Sequence, residues 1–216
     1  MSQHTHYIPA LGHASLTPLY DLILSWVMHE RTFKRVLIAQ AKIAEGQRVL
    51  DLGCGTATLT IMVKQQHPEA QVAGLDGDRQ VLEIGRAKAA KAKVDIALDH
   101  GLAYQLPYPE GSFDRVLSSL VFHHLTTDHK QNTFAECFRV LRPGGELHIV
   151  DFGKPHQALT PGISLFVRRL EQASDNIAGL LPEMMRRAGF ADVEEPAQFA
   201  TIVGGLSSYK ARKPLS

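Results

Sequence analysis

Residues 49–60 read VLDLGCGTATLT: an apolar run interrupted by Asp51, two glycines one residue apart, and then a segment of helical character. A buried strand that ends in a sharp turn and opens directly into a helix accounts for that order. Gly53 and Gly55 lack a β-carbon, so the backbone there can bend tightly and come close to a ligand. The first N–H groups of the following helix have no intrahelical partner and suit a carboxylate or phosphate. The stretch therefore predicts a strand–turn–helix unit with a binding edge.

The pattern repeats outward from this unit. Strands are predicted at Arg48 to Leu52, Gln71 to Leu75, Asp95 to Leu98, Phe113 to Leu120 and Leu147 to Phe152. Helices are predicted between them at Thr58 to Gln66, Gln80 to Lys91 and Lys130 to Leu141, the last stopped by Arg142-Pro143-Gly144-Gly145. Strands apolar on both faces and joined by helices pair in parallel through right-handed crossovers, which gives an α/β doubly wound sheet. Two further strand runs flank Gly204-Gly205 and read as a hairpin. Helical character from Leu16 to Ile43 precedes the first strand, and Lys154 to Leu181 forms a long crossover with its own amphipathic helix. The expected organisation is a helical cap over residues 1–45 and one compact domain over residues 46–216.

Composition narrows the function classes. The chain has 216 residues, 44% hydrophobic and 21% charged, with 23 basic and 22 acidic side chains and a formal net charge of +1. That balance offers nucleic acid or an anionic membrane no electrostatic attraction. Two cysteines, Cys54 and Cys137, resemble neither a zinc framework nor a disulfide scaffold, and no metal is expected. The N-terminal residues do not read as a signal peptide, and the apolar runs are too short to span a bilayer, so a cytoplasmic location is expected.

Three details discriminate between ligands of the glycine turn. A dinucleotide fingerprint places glycine where this chain has Thr58. No Gly-Lys-Ser/Thr follows, which excludes a phosphate-cradling P-loop. Asp76 ends the next strand, where a carboxylate can accept hydrogen bonds from both hydroxyls of a ribose. An adenosine ligand with a short carboxylated arm fits all three.

With these residues in hand, the chain resembles the class I S-adenosylmethionine-dependent methyltransferases. LDLGCGTA at Leu50 to Ala57 resembles their first motif, with Ala57 in place of its last glycine. Asp76 falls at the family's ribose-binding acid, and Gly77 and Leu82 at positions bordering adenine. LPYPEGSFDRVLSSLVFHHL, RVLRPGGELHIVDFGKP and RRAGFADVEE resemble later blocks, so the resemblance runs from about Gly46 to the C-terminus. It is nearest to the ubiquinone and menaquinone C-methyltransferase group, although the N-terminal signature of the quinone enzymes is reduced to Tyr20-Asp21. The resemblance implies a Rossmann-like seven-stranded sheet of order 3-2-1-4-5-7-6 with an antiparallel last strand. It also implies S-adenosyl-L-methionine as cofactor, S-adenosyl-L-homocysteine as product and a methyl acceptor, taken as a small molecule.

Site roles follow from the same resemblance. Asp51 is placed near the methionyl amino group, with Gly53, Cys54 and Gly55 forming the turn and the Cys54 side chain a small buried filler. Many relatives carry an adenine-binding aspartate where this chain has Leu102, so Leu102 and Ala103 are expected to hold adenine through backbone and apolar contact, with Asp99 as a weaker substitute. His123 and His124 are the candidate acid/base residues, since imidazole titrates near neutral pH. As neighbours on an extended strand end they are expected to point opposite ways, leaving only one at a given site. Tyr7 and Tyr20 either close over the cofactor or pack the N-terminal helix. The helix around Phe166 is either a lid or the face of a homodimer. Two alternatives stay open: a nicotinamide-type oxidoreductase on a related sheet, and a non-catalytic cofactor-binding protein.

Overall fold

The computed structural model describes residues 30–154, 173–201 and 204–215. Tyr7, Tyr20 and Phe166, and the lid and dimer-face readings of the helix around Phe166, lie outside the described residues. The elements are α1 (Glu30–Ala41), β1 (Arg48–Leu52), α2 (Thr58–Gln66), β2 (Gln71–Asp76), α3 (Arg79–Ala92), β3 (Ala97–His100), β4 (Phe113–Ser119), a 3-10 turn (Phe122–His124), α4 (Thr127–Val140), β5 (Leu141–Phe152), α5 (Ser174–Ile177), α6 (Leu181–Arg187), β6 (Ala191–Thr201) and β7 (Gly204–Arg212). They build one seven-stranded sheet of order β3-β2-β1-β4-β5-β7-β6. β1 to β5 pair in parallel, and β7 runs antiparallel between β5 and β6. The order implied by the family resemblance is the order observed.

Alternation along each strand separates two apolar layers. Val49, Val72, Leu117 and Val150 pack with Phe33, Leu37 and Ile38 of α1 and with Leu59 and Val63 of α2. Leu50, Leu52, Val116 and Ile149 point the other way, toward Phe134 and Cys137 of α4 and Met184 and Met185 of α6. In α1 the buried positions are Phe33, Lys34, Leu37, Ile38 and Ala41, a helical stripe with one cation in it. Asp51 shares the parity of Val49 and so faces the layer of α1 and α2.

Two strand starts differ from expectation for tertiary reasons. β3 begins two residues later than its apolar pattern suggests, because this edge strand takes its register from β2, with Ala73 opposite Ala97 and Asp76 opposite His100. β5 begins at Leu141, immediately after α4, and runs through Arg142-Pro143-Gly144-Gly145. Its register against β4 slips there, from Phe113↔Leu141 to Arg115↔Glu146. The backbones of Gly144 and Gly145 exchange hydrogen bonds with Lys213, which keeps the glycines in the sheet instead of in a loop.

Candidate functional site

The carboxyl ends of β1, β2 and β4 converge, as a parallel sheet requires. After Leu52 the chain turns at Gly53 (φ +69°), and the Gly53 and Cys54 N–H groups both donate to the Leu75 carbonyl of β2, at 2.8 and 3.0 Å. A β-carbon on Gly53 would stand 2.4 Å from Val121 Cγ2, so glycine is demanded by both dihedral and space. Gly55 (φ +53°) has nothing within 4 Å of where its β-carbon would lie, leaving its backbone open to close approach. Ala57 then caps α2 in the left-handed region (φ 60°), the conformation glycine adopts with least strain, at the place where the resembled motif carries its last glycine.

Asp76 is tied into this turn. Its Oδ2 accepts from the Gly55 N–H at 2.8 Å and its Oδ1 from the Asp78 N–H at 2.9 Å. One backbone donor on each oxygen leaves further lone pairs for a ligand. Burial raises the Asp76 pKa, against the backbone N–H groups of Asp78, Gly55 and Gly77, which lower it.

Asp51 is buried and accepts from Thr60 Oγ1 of α2 at 2.6 Å. Burial pushes its pKa up to about 6, although the Thr60 hydroxyl and the nearby Lys34 cation pull it down. Lys34, on the buried stripe of α1 and paired with Glu30, is a member of this charge cluster that sequence reasoning did not single out. Its only signal was a lysine set among Phe33, Leu37 and Ile38 on the buried face of the helix.

Of the other expected positions, Cys54 is buried and burial pushes its thiol pKa up, as a filler side chain would be. Leu82 is fully buried with Cys54, Ala57, Ile61 and Leu98, so its side chain supports the turn from behind. The Gly77 carbonyl stands 3.1 Å from His100 Nε2. Leu102 bridges to Gln105, and Ala103 packs partly buried against the main core. Asp99 accepts from the Tyr108 hydroxyl at 2.8 Å, which occupies part of its acceptor capacity.

The histidines depart from expectation in one respect. His123 and His124 do not sit on an extended strand end. The chain turns at Leu120 (φ +61°) into the 3-10 turn, and the two rings lie together, with centroids 3.9 Å apart. A 3-10 turn does not send successive side chains to opposite faces as a strand does. His123 is buried, with Nδ1 2.9 Å from Oδ1 of Asp151, the buried acid near the end of β5. Asp151 also accepts from the N–H groups of Val121 (2.9 Å), Phe122 (2.8 Å) and Phe152 (2.8 Å), and from Asn176 Nδ2 (3.1 Å). Burial alone would raise the Asp151 pKa, but the charge of His123 and these hydrogen bonds outweigh it and lower it. His124 is exposed, and its pKa is lowered to about 4 by desolvation from surrounding protein and by His123. Asp151 and Asn176 were missed by sequence reasoning. An acid among the apolar residues of HIVDF was the available sign for Asp151, while Asn176 carried none.

Known proteins resemble this chain in sequence and in fold. Residues 49–145 match the family described as a methyltransferase domain. The chain is 32% identical over 209 residues to a demethylmenaquinone methyltransferase of Deinococcus radiodurans, covering 92% of this chain and 85% of the relative. A demethylmenaquinone methyltransferase of Listeria monocytogenes is 34% identical over 219 residues, with 89% and 90% coverage. Among solved structures, phosphoethanolamine N-methyltransferase 2 of Haemonchus contortus, in complex with S-adenosylhomocysteine, superposes with a TM-score of 0.75 at 18% identity. That match covers 93% of this chain and 58% of the longer one, and it speaks to the fold alone.

A seven-stranded sheet of order β3-β2-β1-β4-β5-β7-β6 with β7 antiparallel, its first two strand ends joining a glycine turn to an acid, is the fold that the resemblance to class I S-adenosylmethionine-dependent methyltransferases implies. The chain belongs to that family, in the group related to the menaquinone and ubiquinone methyltransferases. S-adenosylmethionine is accordingly its methyl donor. No helix among the described residues is long and apolar enough to cross a membrane.

Proposed function

We propose that the chain transfers the methyl group of S-adenosylmethionine to a small-molecule acceptor, in the cytoplasm, with the donor held across the ends of β1 and β2. The observation that carries this reading is the Asp76 carboxylate, locked to the Gly55 N–H at 2.8 Å beside an open backbone. In it, Asp76 accepts from the ribose hydroxyls, the turn at Gly53 to Gly55 receives the methionyl arm, and Asp51 faces its ammonium. Gly77, Leu102 and Ala103 border adenine, with Leu82 and Cys54 packed behind. A sulfonium methyl group brings its own leaving group, so the protein's task is alignment of the acceptor and exclusion of water. The formal charge of +1 favours a small acceptor over nucleic acid.

The names of the relatives make a prenylated naphthohydroquinone the first acceptor to test. Calorimetric titration with S-adenosylhomocysteine, with NADH as control, tests the donor site. Incubation with S-adenosylmethionine and reduced demethylmenaquinone, read by mass spectrometry for a gain of one methyl group, tests the acceptor. Binding of NADH in preference to S-adenosylhomocysteine would overturn the donor assignment. Homocysteine-nucleoside binding without transfer to any small molecule would favour a non-catalytic binding protein.

A further inference from the structure

We infer that His123 and Asp151 form a proton-accepting pair, and that the acceptor is therefore a carbon or oxygen acid whose proton must leave as the methyl group arrives. The inference rests on the methyl-transfer reading of the same site.

Three observations place the pair. First, Val121, two residues before His123, is the side chain that lies against Gly53, so the histidine turn is packed onto the glycine turn. Second, Asp151 accepts from both Val121 and Phe122 N–H groups and from His123 Nδ1, which fixes the turn and the ring to one carboxylate. Phe152 adds an edge-on contact to the ring at 4.8 Å. Third, with Nδ1–H given to Asp151, the neutral ring keeps its lone pair on Nε2, and Nε2 has no hydrogen-bond partner among the described residues. His124 has no side-chain hydrogen bond among those residues, so nothing comparable orients it.

A carboxylate that holds an imidazole in one tautomer and stabilises the imidazolium is a recurring base arrangement. A purely structural anchor needs only the backbone hydrogen bonds; the added His123 contact and the Asn176 amide at 3.1 Å hold the carboxylate toward the ring. The step balances. The acceptor's O–H or C–H proton passes to Nε2, its electron pair forms the new bond to the methyl carbon, and the carbon–sulfur bond breaks to leave a neutral thioether. A neutral amine or a thiolate attacks without such a base, and the pair would be idle for either. The titratable groups in contact with the ring are His124 on the same turn and Asp151 of β5, and Tyr209 of β7 in turn feels the charge of Asp151.

Histidine-selective 15N NMR of the full chain with S-adenosylhomocysteine reads the tautomer directly. His123 is expected to be protonated at Nδ1 and bare at Nε2, and D151N is expected to reverse or mix this. Transfer is then followed with reduced demethylmenaquinone and catechol as acid acceptors and phosphoethanolamine as amine. H123N is expected to lower kcat for an acid acceptor by about 100-fold or more, with S-adenosylhomocysteine binding unchanged. D151N is expected to lower kcat for the acid acceptor while S-adenosylhomocysteine binding is unchanged, a split that loss of a structural anchor would not give. An Nε2–H tautomer in the wild-type chain, H123N within about threefold of wild-type kcat, or turnover of the amine alone would each overturn the inference. Loss of S-adenosylhomocysteine binding in the wild-type chain would instead overturn the donor site beneath it.

Discussion

Val121 stands where a β-carbon on Gly53 would have to go, 2.4 Å from that position at Cγ2. The first glycine of the binding turn is thus in contact with the loop that carries the histidines, and one substitution reports on both.

G53A meets two penalties. The left-handed dihedral costs a residue with a β-carbon about 1–2 kcal/mol, and overpacking against Val121 adds about 1–3 kcal/mol. The double variant G53A/V121A is expected to recover the packing part and not the dihedral part. Urea unfolding of the three chains measures the difference, and equal destabilisation of G53A with and without V121A would show that Val121 yields freely.

Asp76 tests the donor site. Hydrogen bonds to a charged group contribute about 1.5–3 kcal/mol each, so D76A is expected to weaken S-adenosylhomocysteine binding by about 10- to 100-fold or more. D76A also frees the Gly55 and Asp78 N–H groups, so thermal melting should accompany the titration. Unchanged affinity in a folded D76A chain would remove Asp76 from the site.

Asp51 predicts proton release. Its pKa is pushed up to about 6 by burial, above that of an unfolded chain. A group raised in this way lends stability that is complete below the unfolded pKa near 3.8 and is lost as pH rises through about 6. A cofactor ammonium beside it would lower that pKa. Binding at pH 6 should then release up to about half a proton, seen as a binding enthalpy that varies with buffer ionisation heat. D51N should abolish the buffer dependence, and a wild-type enthalpy independent of buffer would separate Asp51 from the ammonium.

His148 predicts the acid side of stability. It is buried in β5, with Nδ1 3.1 Å from the Gln40 amide and Nε2 3.3 Å from Glu146, and burial lowers its pKa despite that carboxylate. Glu146 is itself held down to about 2, chiefly by His148. A lowered histidine lends stability above its unfolded pKa near 6.5 that is lost as pH falls below it. H148Q should therefore show a flatter urea midpoint between pH 6.5 and 5 than the wild-type chain. An unchanged slope would assign the acid limb to other groups.

Much of the glycine turn was legible because it is local. The strand, the two glycines and the helix start of residues 49–60 lie within one turn of chain, and β1 and α2 end where their patterns end. The position of Asp76 beside that turn was readable because an acid at the end of the next parallel strand lies at the same edge of the sheet. The strand order came through resemblance across several blocks, since periodicity says which residues are strands but not which strands are neighbours.

Only the tertiary structure decided the rest. Asp151 meets His123 because β5 pairs beside β4 in a register that sets Ser119 opposite Val150. Lys34 reaches the Asp51 layer because α1 packs across strands that follow it in sequence. The two histidine rings lie together because the chain leaves β4 at Leu120 into a 3-10 turn, held by hydrogen bonds that the Val121 and Phe122 N–H groups donate to Asp151. By itself the sequence determined the elements and the glycine turn, because those depend on side-chain spacing and backbone freedom within a few residues. The pairings that assemble the charged groups depend on sheet register and helix packing between distant segments, and no local pattern contains them.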